Sequence, residues 1–420
     1  MYGAECWYSG RTKPPRTQRP GQPEVSARLG GHIAAIDSAL VIAARGILPA
    51  WRTMPNTALI RDAGLPAAQV ALEEVKLRFA THLRTVDKDH PLVQRIVLPI
   101  ISRGRGAGSP QRPRTKVQRL GSLLPEVPRQ ELLTPHYTKG CTIDPTQGIG
   151  KKEAAARFKN WWAQLPSSHV TIFSDGSEQN LDGTRRVTYG FAIYQNRQML
   201  HKGSGSLHPQ THVFDAEAVG AWRGLQQALR RPELRQQRIW MCIDSTSVIW
   251  GLRGNAPPSS QWAYKQCHNA MGIWDISVKW APGHTGIEGN EAADALADTE
   301  ASHPQEPEGL ASCPTVTGIR SIAKRYLQSA KTEWWAIKKQ KLSRWYRDWD
   351  LTYDTKAPPE LALPRHTLQR LIATRTNHGD FAWYHRKFCH EDAKLECSCG
   401  IDKTPDHIVH CRRTRRLFAR

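Results

Sequence analysis

Between residues 168 and 301, short apolar runs alternate with stretches in which apolar residues recur every three or four positions. Apolar runs bounded by Gly, Asn and Pro predict five strands, at 170–174, 187–194, 198–206, 238–244 and 275–280. Helical spacing predicts helices at 216–229, 245–253, 259–271 and 290–301. Three consecutive strands followed by alternating helices and strands predict an α/β fold: a mixed five-stranded sheet with helices on its faces.

The flanking segments have other patterns. Residues 24–46 and 67–87 are predicted to be helical, and the apolar stripe of the second helix is either core or a partner-facing surface. Residues 102–150 place basic side chains among Gly, Pro and Ser, with no acid until Glu126. This composition favours a flexible tether over a phosphate-binding segment.

A long helix is predicted at 321–349, with Trp334, Trp345 and Trp349 near one face and basic residues over much of the rest. Such tryptophans either stack on bases or dock on a core, and we favour the core. The predicted domains are a helical segment at 1–101, a basic linker at 102–160, the α/β domain at 161–302, and a basic helical region with a Cys/His tail at 303–420.

Four acidic residues stand at notable places in the α/β region. Asp175 and Asp244 each end an apolar run, while Glu217 and Asp294 lie in predicted helices. Together they can form one carboxylate cluster, which repels itself unless cations neutralise it. Oxygen ligands of this kind favour Mg²⁺ or Mn²⁺. Taken singly, each acid is more simply read as a turn, cap or surface residue.

This order of motifs resembles a type 1 ribonuclease H domain over about residues 168–301. Its most specific part is the segment 283–294, Gly-His-Thr-Gly-Ile-Glu-Gly-Asn-Glu-Ala-Ala-Asp. The resemblance implies an endonuclease that hydrolyses the RNA strand of RNA·DNA hybrids with two divalent ions, leaving 3′-hydroxyl and 5′-phosphate ends. It also implies that Asp175 bridges both ions, that Glu217 and Asp244 flank one and Asp294 completes the other, and that His284 shuttles a proton or helps the product leave.

The flanks extend the resemblance to fungal LINE-type (non-LTR) retrotransposon reverse transcriptase polyproteins. Residues 1–7 look like the end of a reverse transcriptase portion, and 47–51 with 61–66 look like the segment that joins it to the nuclease. No polymerase Asp-Asp motif precedes the nuclease, so the chain reads as a fragment that lacks reverse transcription.

Charge and composition fit a nucleic-acid partner. Lys and Arg outnumber Asp and Glu by 59 to 38, a net charge of +21. An RNA·DNA hybrid is the expected partner, and its minor-groove 2′-hydroxyls would face polar candidates such as Ser177, Asn180 and Gln210. The N-terminus has no secretory signal pattern and charges interrupt the apolar segment 30–51, so we expect an intracellular protein, nuclear or cytoplasmic, with no membrane span.

The C-terminal tail carries a Cys/His pattern. The odd total of nine cysteines favours reduced thiols over a disulfide scaffold. Cys397, Cys399, His407 and Cys411 together fit one structural zinc ion, which we favour over free thiols. Cys389 and His390 remain candidates to replace one ligand.

Two further functions compete with the nuclease. One is a non-catalytic nucleic-acid-binding remnant of a retrotransposon that keeps the same fold and basic surfaces. The other is a DNA transposase or integrase on a related fold, against which the Gly-His-Thr-Gly loop and the helix-borne Glu217 argue. Hybrid cleavage with and without Mg²⁺ separates the three.

Overall fold

The computed structural model describes residues 3–16, 21–98, 100–101, 109–110, 112–113, 115–129, 137–138, 140–254 and 256–413. Two compact units are present. Unit 1 falls within Met1–Leu77 and Arg325–Arg420, and unit 2 within Arg78–Lys324.

The helices follow in chain order. They are α1 Ala4–Trp7, α2 Gly30–Ile47, α3 Asn56–Asp62, α4 Ala68–Thr85, α5 Pro91–Ile96, α6 Lys116–Gly121, α7 Lys151–Ala163, α8 Val213–Leu229, α9 Pro232–Arg235, α10 Thr246–Arg253, α11 Gln261–Met271, α12 Glu288–Ser302, α13 Val316–Lys339, α14 Arg344–Arg347, α15 Arg365–Thr376, α16 Ala382–Lys387 and α17 Pro405–His410. Two 3₁₀ turns cover Gly309–Ser312 and Pro359–Ala362.

The strands form one five-stranded sheet and two small two-stranded sheets. They are β1 Thr12–Lys13, β2 Val25–Ser26, β3 Ile100–Ile101, β4 Ser109–Pro110, β5 Val170–Leu181, β6 Thr184–Gln195, β7 Gln198–Leu207, β8 Ile239–Ile243 and β9 Ile276–Trp280. The large sheet has the order β7-β6-β5-β8-β9. Strands β5, β6 and β7 are antiparallel neighbours, whereas β8 runs parallel to β5 and β9 parallel to β8. The predicted mixed five-stranded sheet is confirmed.

Each face of the sheet is covered by its own layer of helices. Successive strand residues point to opposite faces, so Ile172 joins the core beneath α8, α10 and α11, and Phe173 joins the core beneath α7 and α12. Gly190 lets α12 approach β6, because a Cβ there would collide with the Ala293 carbonyl. This close packing fixes the helix that carries Asp294 against the sheet.

Strand β5 runs further than its apolar residues predict. It continues past Asp175 to Leu181 and pairs along its whole length with β6. The hairpin closes at Asp182 and Gly183, which both have positive φ, at 52° and 72°. An Asp-Gly pair suits this tight turn. The outer half of the hairpin is mostly polar and partly or fully exposed, so no apolar run marked it as strand.

The α/β region extends beyond both predicted boundaries. On the C-terminal side, Ala311 is buried in the core of the sheet domain, and its carbonyl accepts the His208 N–H at 2.9 Å. On the N-terminal side, residues 102–160 are not one flexible linker where they are described, since they contain α6 and most of α7, with buried Leu120 and Phe158. The predicted basic residues Arg103, Arg105 and Arg114 of that linker lie outside the described residues.

Unit 1 is built from both ends of the chain, which differs from the predicted separation of 1–101 and 303–420. Leu59 of α3 shares a core with Trp334 of α13 and Ile372 of α15. At its centre the buried Asp62 accepts hydrogen bonds from Tyr346 Oη at 2.8 Å and Arg375 Nη1 at 3.3 Å. These partners lie 284 and 313 residues away in sequence, so no local pattern pointed to them.

The predicted helix at 321–349 is shorter in the structure. It begins earlier, at Val316, and ends at Lys339, after which Ser343 caps the separate short helix α14. Trp334 is buried in the unit 1 core, which confirms the core-docking interpretation for that residue. Trp345 donates from Nε1 to the Thr374 carbonyl at 2.6 Å.

Helix α2 begins at Gly30, later than predicted, because residues 25–26 form β2. By length and composition alone, it is the one helix in the described part of the chain that could cross a membrane. Ala44 near its end is buried in the core of unit 1. The absence of a membrane span stays a prediction.

Candidate active site

Asp175 lies in the middle of the sheet, on its central strand. It pairs with Gly190 of β6 on one side, and the last β5–β8 pair, Ser174 with Ile243, directly precedes it on the other. Because β5 and β8 are parallel, Asp244 follows β8 at the same edge and comes next to Asp175. Asp175 is only 6% exposed, and its Oδ1 accepts the Gly176 N–H at 2.7 Å.

Glu217 comes from the first turns of α8. This helix begins at Val213, three residues before the predicted start, because His212 caps it. His212 Nδ1 accepts the Phe214 N–H at 3.3 Å, and Asp215 Oδ2 accepts the His212 N–H at 3.0 Å. Gly176 lets the helix approach, since a Cβ there would lie 2.8 Å from the Glu217 nitrogen.

The structure brings Asp175, Glu217 and Asp244 together. One carboxylate oxygen from each lies within 4.8 Å of the others. Burial, and next the charge of Asp244, raise the pKa of Asp175 to about 8. Burial also raises the pKa of Glu217 to about 7, against a hydrogen bond from Ser245 that lowers it. The cluster therefore holds its charge poorly unless a cation neutralises it.

The donor set fits a divalent cation with hard oxygen ligands. Asp244 Oδ1 is buried without a hydrogen-bond partner among the described residues, so it has a lone pair to offer. Gly283 leaves room beside this carboxylate, because a Cβ at that position would collide with Asp244 Oδ2. Three carboxylates without a nearby thiolate suit Mg²⁺ or Mn²⁺ better than zinc.

Asp294 falls in a second group, with His284 and Glu291. Their ligand atoms also lie within 4.8 Å of one another, and His284 Nδ1 is 3.7 Å from Asp294 Oδ2. Asp294 still acts on the first group, since its charge contributes to the raised pKa of Asp175. Of the four predicted carboxylates, the structure therefore brings Asp175, Glu217 and Asp244 into one group and places Asp294 in the second. Sequence reasoning missed Glu291, although it lies one helical turn before Asp294.

His284 lies in the loop 282–287 between β9 and α12, in which His284 and Gly286 are exposed while Pro282, Gly283 and Ile287 are buried. Its φ is +54°, in the left-handed region that few residues with side chains adopt. The imidazole is 73% exposed. An exposed side chain on a loop can change rotamer during a reaction, which suits a group that moves protons.

A buried network around Asp215 fixes the start of α8. Asp215 is fully buried, and its Oδ1 accepts hydrogen bonds from Ser259 Oγ at 2.6 Å and Ser260 Oγ at 2.8 Å. Its Oδ2 accepts from the hydroxyls of Thr315, at 2.6 Å, and Thr317. This network lies two residues from Glu217 and was not predicted from the sequence.

The three predicted polar contacts with substrate have different surroundings. Ser177 Oγ donates to Asp298 Oδ1 at 2.8 Å, which holds it against α12. Asn180 lies opposite Arg185 in the outer part of the β5–β6 hairpin. The carbonyl of Gln210 accepts the Thr315 N–H at 3.2 Å. Their contact with a substrate stays a prediction.

The Cys/His tail of unit 1 assembles the four predicted ligands. Cys397, Cys399, His407 and Cys411 bring their ligand atoms within 4.8 Å of one another. Cys399 Sγ lies 3.1 Å from His407 Nε2, and Cys397 Sγ lies 3.9 Å from Cys411 Sγ. A tight turn at Gly400, with φ +86°, brings the Cys397–Cys399 segment back on itself. Cys389 and His390 lie outside this group of four.

Residues 167–302 match the family model described as RNase H. They form an RNase H domain, with the mixed sheet and flanking helices predicted for it. All four candidate carboxylates and His284 lie inside the matched range.

Among known proteins, the RNase H domain is similar to part of the Pol polyprotein of equine infectious anemia virus (isolate 1369). The two are 29% identical over 136 residues, which is 31% of this chain and 10% of the polyprotein. The chain thus spans about a tenth of the length of the viral relatives it matches.

Two solved structures are also similar. The N-terminal RNase H domain of a Mycobacterium tuberculosis protein is 19% identical and aligns over 32% of this chain and 97% of its own, with a TM-score of 0.27. LC11-RNase H1, solved in complex with an RNA/DNA hybrid, is 14% identical and aligns over 31% of this chain and 97% of its own, with a TM-score of 0.26.

Proposed function

We propose that the RNase H domain is an endonuclease that hydrolyses the RNA strand of RNA·DNA hybrids with two divalent ions, Mg²⁺ or Mn²⁺. One observation carries the proposal: Asp175, Glu217 and Asp244 converge at the edge of the central strands, in a domain that matches the RNase H family. One buried and two partly buried carboxylates this close together repel one another, and a bound divalent cation would offset that repulsion.

In this proposal each carboxylate has a stated task. Asp175, at the centre of the sheet, would contribute to holding both ions, Glu217 and Asp244 would hold one, and Asp294 would help to hold the other. Bound ions of this kind lower the pKa of an attacking water and stabilise the leaving oxygen of an in-line displacement. The products would be a 3′-hydroxyl and a 5′-phosphate.

His284 has a different task from the carboxylates. Its exposed imidazole, next to Asp294, receives or supplies a proton at the reacting phosphate and helps the product leave. The imidazole lies in the group with Glu291 and Asp294, and not in the group of Asp175, Glu217 and Asp244. Its exchange for alanine should therefore affect turnover more than ion binding at Asp175.

Cleavage of a labelled hybrid in Mg²⁺ and in chelator tests the proposal. RNA-strand cleavage that depends on Mg²⁺ supports it. Binding without cleavage would favour the alternative, a non-catalytic nucleic-acid-binding remnant, for which the net charge of +21 is the supporting observation.

We also propose one structural zinc ion in the tail of unit 1. Three thiolates and one imidazole make a complete tetrahedral set, and such a closed site stabilises a short segment rather than catalysing a reaction. Purified protein should contain about one zinc per chain. Cys399→Ser with Cys411→Ser should remove it and make the tail sensitive to protease. Cys389→Ser is the matched control, because it removes a thiol just outside the group. Protein without zinc whose tail resists protease would contradict the site.

A further inference from the structure

Helix α7 lies before the matched RNase H range, which begins at residue 167. It is nevertheless packed against the strand that carries Asp175. Phe158 and Trp162 are buried in one core with Phe173, two residues before Asp175. Trp162 also donates from Nε1 to Thr171 Oγ1 at 3.2 Å. The helix is therefore part of the same rigid packing as the central strand.

The same helix reaches the loop at 282–287 that carries His284. Ala281, directly before this loop, and Ile287, its last residue, belong to the core that α7 covers. On the exposed side, Lys159 Nζ donates a hydrogen bond to the Thr285 carbonyl at 3.0 Å. Thr285 is the residue directly after His284, so this bond acts on the backbone that sets the direction of the imidazole.

The backbone of this loop turns through the left-handed region at two residues. His284 and Gly286 both have positive φ, at 54° and 70°. Within the loop, Thr285 Oγ1 donates to the Pro282 carbonyl at 2.7 Å, and the Gly286 N–H donates to Glu291 Oε1 of α12 at 3.0 Å. The Lys159 bond adds a contact to this loop from a second helix, α7.

We infer that α7 belongs to the active site. Its Lys159 is a positioning residue, because it donates a hydrogen bond to the Thr285 carbonyl and so fixes the loop that carries His284. This inference rests on the proposed hydrolysis of RNA·DNA hybrids. Neither the matched domain range nor the carboxylate motifs include this helix.

The test uses the full chain and three single variants. Lys159→Met removes the hydrogen bond and keeps the aliphatic stem. Lys159→Arg restores a donor, since a guanidinium can reach the same carbonyl. Lys152→Met is the matched control, because it removes the same charge from the same helix and leaves the Thr285 contact in place. The readouts are kcat and KM on a labelled hybrid in Mg²⁺, thermal stability, and hydrogen exchange of the Gly286 amide.

A positioning role predicts a distinct pattern. Lys159→Met should lower kcat by about ten-fold, leave KM and the melting temperature nearly unchanged, and accelerate exchange at Gly286 several-fold, because small displacements of a reacting group cost rate rather than binding. Lys159→Arg should restore most of kcat. The inference is wrong if Lys159→Met matches Lys152→Met in both kcat and exchange.

Failure of the proposed function has its own signature. A parent protein that does not cleave the hybrid in Mg²⁺ would contradict the proposed hydrolysis. Exchange at Gly286 would then still decide whether Lys159 holds the loop. Equal exchange in Lys159→Met and Lys152→Met would reject the contact itself.

Discussion

Asp175 is where burial and charge conflict most directly within the candidate site. It is almost fully buried, it faces Asp244, and the nearest hydrogen bond to it, from Gly176, only partly compensates. The ordinary pKa of an aspartate is 3.8, whereas that of Asp175 is raised to about 8. A carboxylate in this position destabilises the metal-free protein at neutral pH.

The first prediction follows from the sign of that shift. In chelator, the unfolded chain ionises Asp175 near pH 4 while the folded chain keeps it protonated up to about pH 8. The stability contributed by this group is therefore complete below pH 4 and is lost as pH rises towards 8. Asp175→Asn should flatten that decline and stabilise the metal-free protein at pH 8.

Denaturant unfolding in chelator at pH 5 and pH 8 checks this prediction. Asp182→Asn is the control, since it makes the same exchange in the exposed β5–β6 turn. Added Mg²⁺ should stabilise the parent more than Asp175→Asn. If the unfolding free energy of the parent and of Asp175→Asn changed in parallel with pH, the raised pKa of Asp175 would be contradicted.

Among the individual site residues, those that could be predicted from the sequence are the ones marked by the pattern of their immediate neighbours. Asp175 and Asp244 follow apolar runs, and Glu217 lies in an amphipathic stretch, so each could be placed on its element. The supporting contacts carry no local signal. Lys159 and Thr285 are 126 residues apart, and Asp215 and Thr317 are 102 apart.

Among the elements, the start of α8 is held by hydrogen bonds from two separate segments. The hydroxyls of Ser259 and Ser260 approach Asp215 from the turn before α11, and those of Thr315 and Thr317 approach it from the start of α13. Buried carboxylates need such partners, because an unpaired one is costly. The segment between α12 and α13 therefore folds together with the RNase H domain as part of unit 2.

Thr317→Val tests this extension. It keeps the shape of the side chain and removes one hydroxyl donor from a fully buried carboxylate, so the unfolding free energy of unit 2 should fall by about 1–3 kcal/mol. Thr299→Val is the control, because Thr299 is exposed and donates only to the Ala295 carbonyl of its own helix. Equal losses of unfolding free energy in the two variants would show that the Thr317 hydroxyl stabilises unit 2 no more than an exposed threonine hydroxyl does.

The elements themselves were mostly predictable, and their ends were not. All five sheet strands were located because apolar runs are bounded by turn residues. The extension of β5 to Leu181 and the early start of α8 were missed. The first depends on pairing with β6, and the second on capping by His212 and Asp215, so neither follows from apolar periodicity.

The chain forms two units, whose boundaries were not predicted correctly from the sequence. Leu59 and Asp62 near the N-terminus share a core and a polar network with residues beyond 330, so neither end of unit 1 is complete without the other. Tertiary pairing over some 300 residues leaves no trace in composition or periodicity. The basic surplus, in contrast, is visible in the sequence and makes a prediction of its own.

Nucleic-acid affinity should fall steeply with salt, since every phosphate contact releases condensed counterions. Lys341, Arg344 and Arg347 are exposed after α13 and are candidates for such contacts. Exchanging all three for Gln should reduce the slope of log affinity against log salt by up to about 2.7, at about 0.9 per contact on duplex DNA. Filter binding at several salt concentrations measures it. An unchanged slope would place the phosphate contacts elsewhere.

Cleavage of an RNA·DNA hybrid by the full chain, with and without the Asp175 carboxylate, tests the central claim most directly. The parent in Mg²⁺ should cut only the RNA strand and leave 5′-phosphate and 3′-hydroxyl ends. Chelator or Asp175→Asn should abolish cleavage, while Asp182→Asn should leave it intact. Cleavage by Asp175→Asn at the parental rate, or no Mg²⁺-dependent cleavage by the folded parent, would contradict the account.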